Sequence, residues 1–303
     1  MRAGAAATRY AVTSSAPSSD PRMVGRPSVY QALGVCLLAM ITVLITSSIV
    51  VLAALTWHAG GGSSPAGPDA AKPAILQSPG WITTLIAANA GAGLAALWLG
   101  LHWLRCPVSA VIPTPGVRRR DYFGAIALTL GTAPLADLAS RWAAQLPGGN
   151  SASAELAMAA AVRSSPLEFA LALAAIAIGP ALAEELLFRG LLTSALLRYG
   201  NLAALLWPSI LFGIYHLDVA QGVGTALLGL SFGWARLRTG SVVPSIVAHG
   251  VFNGAVLLSL RAAGGVEPTT ATPSQHAALL VGSAIVIGAG LMALAKPRGA
   301  GVQ

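Results

Sequence analysis

Ionisable side chains interrupt three apolar segments in the second half of this chain. They form three short patterns: Glu184-Glu185-x-x-x-Arg189, Phe212-x-x-x-His216 and His249-x-x-x-Asn253. Together the patterns supply carboxylates, imidazoles and an amide, the groups used for general-base catalysis, oxyanion stabilisation or metal binding. An ionisable group inside a bilayer is costly, so each pattern predicts a functional site if its segment spans a membrane.

The first pattern places two adjacent carboxylates at different positions around one helix. Glu185 and Arg189 lie one helical turn apart, so they are predicted to pair. Glu184 lies about 100° around the helix and cannot share that pairing equally. It is left with less charge compensation and is suited to taking a proton from water. A structural Glu–Arg clip at a helix end is the alternative reading of this motif.

The other two patterns place imidazoles on helix faces. His249 and Asn253 share one face and could stabilise an oxyanion, or act as a metal ligand with an oriented neighbour. A hydrogen bond between membrane helices is the structural alternative for this pair. Phe212 lies one turn before His216 and is predicted to pack beside its imidazole, limiting the access of water.

The composition identifies the environment of these patterns. Of 303 residues, 9% are charged and 55% are hydrophobic, whereas a typical soluble domain has about 25% charged residues. These values exclude a soluble fold and a disordered chain. The net charge of +8 comes from small basic groups between apolar runs, which indicates membrane topology and not nucleic-acid binding. Cys36 and Cys106 lack a CxxC partner, so no disulfide framework or cysteine zinc site is expected.

The apolar runs predict an all-α, polytopic bundle of about eight transmembrane helices, each near the ~20 residues that cross a bilayer. The runs are 30–57, 80–104, 121–146, 166–199, 201–217, 219–235, 241–260 and 276–295. The count becomes seven if 121–146, which contains Asp137 and Arg141, does not cross. These two residues are spaced to pair on one helix face. A polar loop is predicted over 147–165.

Four regions follow from this pattern. They are a disordered cytosolic tail (1–29), N-terminal transmembrane helices (30–146), a catalytic core (166–260) and a last transmembrane helix (276–295). Thirteen basic residues fall on one side of the predicted topology and three on the other. The positive-inside rule therefore predicts a multi-pass cell-membrane protein with both termini in the cytosol. The Ala-, Gly- and Arg-rich composition suggests a bacterial source.

The three patterns, in this order and on separate apolar spans, resemble the CPBP family of intramembrane proteases. That family includes type II CAAX prenyl endopeptidases and bacterial abortive-infection or bacteriocin-immunity proteins. The resemblance covers about 166–260 and implies a helical intramembrane endopeptidase whose chamber opens toward the cytosol. It implies roles for seven residues: Glu184 as the general base, His216 in placing the water, His249 and Asn253 in oxyanion stabilisation, and Glu185, Arg189 and Phe212 as supporting residues.

The resemblance leaves the cofactor open. We favour metal-independent glutamate chemistry with no cofactor, although zinc held by Glu184, His216 and His249 is chemically compatible. The expected partners are the bilayer and a peptide or membrane-protein substrate, including prenylated CAAX-type clients. A non-catalytic immunity or scaffold protein is the principal alternative. A proton- or ion-coupled transporter is the third hypothesis, since intramembrane Glu and His also act as relays.

Overall fold

The computed structural model of the protein describes residues 25–60, 78–147, 152–264 and 273–295. All regular elements in these ranges are helical, which confirms the predicted all-α class. The helices are α1 (Val29–Gly60), α2 (Pro79–Trp103), α3 (Val108–Val111), α4 (Arg119–Ala143), α5 (Ala152–Val162), α6 (Pro166–Glu185), α7 (Thr193–Leu196), α8 (Asn201–Tyr215), α9 (Val219–Thr239), α10 (Val243–Ala262) and α11 (Pro273–Ala295). A π-helical segment, Leu186–Leu192, joins α6 to α7, and a 3-10 turn, Leu197–Tyr199, precedes α8.

All eight predicted apolar runs contain a helix, but six stretches of the described chain are long and apolar enough to cross a membrane. These are Val29–Trp57, Pro79–Trp103, Arg119–Ala143, Pro166–Tyr199, Val243–Ala262 and Ala277–Ala295. The doubtful run at 121–146 belongs to this set. Helix α8 has 15 residues, or about 22 Å of length against a hydrocarbon core of about 30 Å. The number of crossings therefore stays a prediction, with six as the number of stretches that meet the length and hydropathy required and eight as the number expected from the sequence.

Several predicted boundaries differ from the structure. The predicted polar loop 147–165 contains α5, because its alanine-rich sequence has high helix propensity. Residues 1–24 of the predicted tail lie outside the described residues, but the end of that tail is packed: Arg198 Nη2 donates to the carbonyl of Pro27 at 2.8 Å. The predicted Asp137–Arg141 pair is confirmed, with Nε to Oδ2 at 2.8 Å and both side chains exposed.

The packing brings the three patterns together at the end of α6. Helix α6 packs on α10, while the π-helical segment that continues it packs on α8 and α9. Helix α4 supports this group from the other side through contacts with α9 and α10. The first pattern spans the end of α6 and the π-helical segment, the second lies at the end of α8 and the third on α10. Together with α9, four helices surround one site.

Glycines allow α8 and α9 to touch backbone to backbone. A Cβ atom added at Gly213 would clash with the carbonyl oxygen of Gly222, and one added at Gly222 would lie 2.8 Å from the carbonyl oxygen of Gly213. Small residues permit such close approach between membrane helices. The contact lies less than one turn before His216, so it fixes the end of α8 that carries this imidazole.

The substitution Gly213→Ala tests this contact. We expect it to lower the free energy of unfolding in detergent by about 1–3 kcal/mol, because neither backbone can yield without separating the helices. Gly91→Ala is the matched control, since a Cβ atom at this helical glycine meets no atom within 4 Å. Chemical unfolding followed by circular dichroism measures both, and equal effects of the two substitutions would contradict the interpretation.

Candidate active site

A buried ion pair lies where α6 ends and the π-helical segment begins. Arg189 Nη1 donates to Glu185 Oε1 at 2.9 Å, and both side chains are completely buried. The predicted pairing is therefore confirmed. Arg189 lies within the π-helical segment Leu186–Leu192, a wider helical turn that is frequent at functional sites.

Partners from other helices surround the Arg189 side chain. Its Nη2 donates to the carbonyl of Gly229 at 3.0 Å. Its guanidinium lies 4.6 Å from the ring centre of Phe212 and 5.2 Å from that of Phe232. In addition, Arg236 Nε donates to the backbone carbonyl of Arg189 at 3.1 Å. A buried charge is tolerated only with such partners, so α8 and α9 are required for the pair to form.

His249 is the second partner of Glu185. Its Nδ1 lies 3.1 Å from Glu185 Oε1, the oxygen that also accepts from Arg189. Because this carboxylate oxygen accepts, Nδ1 is the protonated nitrogen. In the neutral imidazole Nε2 is then an acceptor, and it lies 3.8 Å from Glu184 Oε2.

Glu184 differs from its neighbour in environment. Its side chain is 17% exposed, whereas that of Glu185 is fully buried. The distance of 3.8 Å between its Oε2 atom and His249 Nε2 is too long for a direct hydrogen bond. This arrangement agrees with the expectation that Glu184 has less charge compensation than Glu185. Glu184 is therefore the more accessible of the two carboxylates.

His216 follows the last residue of α8. Its Nδ1 is 2.8 Å from the carbonyl oxygen of Phe212, which can only accept, so Nε2 is again the acceptor nitrogen of the neutral ring. The Phe212 ring contacts both imidazoles, with centroid distances of 4.9 Å to His216 and 5.9 Å to His249. The predicted packing of Phe212 beside His216 is confirmed, and the same ring also links His216 to the Glu185–His249 pair.

Asn253 forms a contact between helices. Its Nδ2 donates to the backbone carbonyl of Ile176 at 3.1 Å, which ties α10 to α6. This is the structural alternative considered for the third pattern. An asparagine amide has two N–H groups, so the bond to Ile176 leaves one that can serve another acceptor.

Sequence reasoning missed three residues on one face of α9. Gly229, Phe232 and Arg236 are spaced i, i+3 and i+7, and we call them the α9 face. Each of the three contacts Arg189, and the Phe232 ring also lies against His249, with centroids 4.7 Å apart and planes at 15°. A search for ionisable residues inside apolar runs could not find this face, because the run 219–235 has none. The spacing Gly-x-x-Phe-x-x-x-Arg is the available signal.

The donor set considered for zinc does not form a metal site. In the part of the chain that the structure describes, no group of three or more His, Cys, Asp and Glu side chains could hold a metal ion. Glu184 and His249 are close, but His216 does not complete a set with them.

Comparison with known proteins supports the family. Residues 166–255 match the family model described as type II CAAX prenyl endopeptidase Rce1-like. The match contains all three patterns and confirms the resemblance that they predicted. Searches of curated proteins and of solved structures found no match.

Removal of one partner tests how much the buried ion pair between Glu185 and Arg189 contributes to the stability of the protein. Glu185→Leu leaves Arg189 as an uncompensated buried charge, so we expect a loss of about 3–5 kcal/mol in the free energy of unfolding. The double variant Glu185→Leu/Arg189→Met removes both charges and should lose less than the sum of its single variants.

The exposed pair of Asp137 and Arg141 has the same i,i+4 spacing and serves as the control. Asp137→Ala should change the free energy of unfolding by less than about 1 kcal/mol. Additive effects at Glu185 and Arg189 would show that the two residues do not act as a pair.

Proposed function

We propose that this protein is an intramembrane endopeptidase in which Glu184 activates water to hydrolyse a peptide bond. The family match supports a CAAX-type membrane protease in general, and the proposal assigns its chemistry to this chain. The observation that carries the proposal is the partly exposed Glu184 carboxylate facing His249 Nε2 at 3.8 Å. This separation is longer than a hydrogen bond, and one water molecule can contact both atoms.

In the proposed reaction Glu184 takes a proton from this water as its oxygen adds to the peptide carbonyl. One O–H of the water is directed to Glu184 and the other to the acceptor Nε2 of His216, which helps to orient the water, while the water oxygen faces the protonated Nε2 of His249 described below. When the carbon–nitrogen bond breaks, the proton held by Glu184 passes to the leaving amine. Glu184 thus returns to its carboxylate form, and the products are an acid and an amine.

His249 and Asn253 are proposed to stabilise the oxyanion. For His249 to donate from Nε2, it must take up a second proton from solvent when the substrate binds, because its one proton in the resting state is on Nδ1 and is directed at Glu185. The Glu185 carboxylate stabilises that protonated imidazole, as the aspartate does for histidine in a serine protease triad. The amide N–H of Asn253 that does not bond Ile176 is the second donor.

The proposed substrate is a membrane-associated peptide or protein, with prenylated CAAX-type clients as the class that the family match suggests. The apolar helices make the protein a multi-pass membrane protein. Its placement in the cell membrane with both termini in the cytosol is part of the proposal. It is consistent with the predominance of basic residues on the predicted cytosolic side.

Glu184→Gln tests the general base. The amide cannot take a proton, so we expect kcat to fall by about 10²–10⁴-fold with the fold retained. Glu168→Gln is the matched control, because Glu168 lies at the other end of α6, where it accepts from the Ser165 N–H in a capping box that glutamine can also form.

Cleavage of a peptide library that includes farnesylated C-terminal peptides, read by mass spectrometry, measures both variants. Cuts that persist in Glu184→Gln would contradict the assignment. Binding or protection that survives this substitution, without Glu184-dependent cuts, would instead favour the non-catalytic scaffold.

Chelation tests the metal alternative. We expect cleavage by purified protein to be unchanged after treatment with 1,10-phenanthroline and dialysis, because Glu184, His216 and His249 do not form a three-ligand site. The same peptide assay measures the rate before and after chelation. Loss of activity that zinc restores would overturn the metal-independent proposal.

A further inference from the structure

The imidazole of His249 lies flat against an aromatic ring that belongs to none of the three motifs. Phe232, on α9, is 1% exposed. Its ring is nearly parallel to the imidazole, at a centroid distance of 4.7 Å and an angle of 15°. Phe212 meets the same imidazole edge to face, at 5.9 Å and 75°. The two rings bound His249 on two sides and restrict its rotation.

The orientation of this imidazole determines what each nitrogen can do. In the observed orientation Nδ1 bonds Glu185 and Nε2 faces Glu184. A half-turn of the ring would put carbon atoms in the positions of both nitrogens, and a smaller rotation would weaken both contacts. The hydrogen bond to Glu185 holds one point of the ring, and the stacked face of Phe232 holds its plane. The side chain thereby keeps one tautomer and one direction for Nε2.

Phe232 is itself held in place by its neighbours on α9. The hydroxyl of Ser231 is 2.9 Å from that of Thr132 and links α9 to α4. On the other side, a Cβ atom at Gly233 would lie 2.8 Å from Leu205, which shows how closely α8 and α9 approach. One turn earlier, the carbonyl of Gly229 accepts from Arg189. These contacts leave the Phe232 ring little freedom to follow a displaced imidazole.

We propose that Phe232 is a positioning residue of the active site, whose ring fixes the plane of His249 so that Nε2 faces Glu184. This inference rests on the proposed function, since it assigns His249 a part in peptide hydrolysis. Phe232 does not contact the reacting atoms and acts through His249. Because misplacement of a reacting group by about 1 Å can cost about 100-fold in rate, a buried apolar side chain can control kcat here.

The kinetic experiment compares two phenylalanines of the same cluster. Phe232→Leu removes the stacked face, and we expect kcat to fall by about 10- to 100-fold with little change in KM. Phe188→Leu removes the same volume at the same burial of 1% exposure. The described ring contacts of Phe188 are with Phe212 and Tyr215 and not with His249, so a smaller loss is expected. Phe232→Tyr keeps the aromatic face and should restore most of kcat.

A spectroscopic readout makes the test independent of activity. The chain has five histidines, so protein labelled with ¹⁵N-histidine in detergent gives few imidazole signals, and His249→Gln identifies the one of interest. We expect the wild-type signal to report an Nδ1-protonated tautomer with carbon-bound protons shielded by the stacked ring. In Phe232→Leu the shielding should vanish and the tautomers should mix, whereas Phe188→Leu should keep both features.

The outcomes separate the two proposals. Equal kcat losses in Phe232→Leu and Phe188→Leu, or an unchanged His249 signal in Phe232→Leu, would overturn the role of Phe232. If Glu184→Gln cleaves as well as wild type, the proposed function fails, and the His249 signal alone then decides whether Phe232 sets the imidazole. Selective loss in Phe232→Leu, with rescue by Phe232→Tyr and a changed His249 signal, supports both proposals.

Discussion

The completely buried ion pair between Glu185 and Arg189 is the constraint on which the rest of the site depends. Charges removed from water require good geometry and further hydrogen bonds, and here the partners come from other helices. Glu185 accepts from Arg189 and His249, while Arg189 donates to Gly229. The contacts of this one pair therefore join the end of α6 to α9 and α10. Glu185 Oε2 and Arg189 Nε are buried without a hydrogen-bond partner, so the pair depends on the contacts that its other atoms make.

The sequence predicted the parts of this arrangement that follow from polarity and period. Apolar runs indicated the helices, and the i,i+4 spacing of Glu185 and Arg189 indicated their pairing. The π-helical segment at Leu186–Leu192 was not predicted, because it depends on tertiary contacts such as the bond from Arg236 to the carbonyl of Arg189. Phe232 was missed because an aromatic residue in an apolar run resembles any other core residue, and only its spacing from Gly229 and Arg236 distinguishes it.

Asn253 shows why a motif does not determine a role. Its spacing from His249 was compatible with an oxyanion donor and, more commonly for such a pair, with a contact between helices. The structure adds the bond to Ile176, a backbone acceptor 77 positions earlier in the chain that no local pattern indicates. An amide with two donors can hold a helix and serve a substrate at once, so the contact constrains its position without removing the chemical role. The proposed donor is thus fixed by a neighbouring backbone.

Two adjacent carboxylates acquire different chemistry through their position on one helix. Glu185 faces inward, where Arg189 balances its charge and His249 donates a hydrogen bond to it, and the low dielectric strengthens each contact. Glu184 is turned about 100° away and remains partly exposed, while Phe212 and Phe232, each 1% exposed, fill the buried side. The aromatic rings therefore keep water from the structural pair, and the open side gives water access to the carboxylate proposed to use it. A one-residue shift of register along α6 would leave one carboxylate in these two environments and put Ala183 or Leu186 in the other, so the packing around Arg189 keeps both carboxylates in their positions.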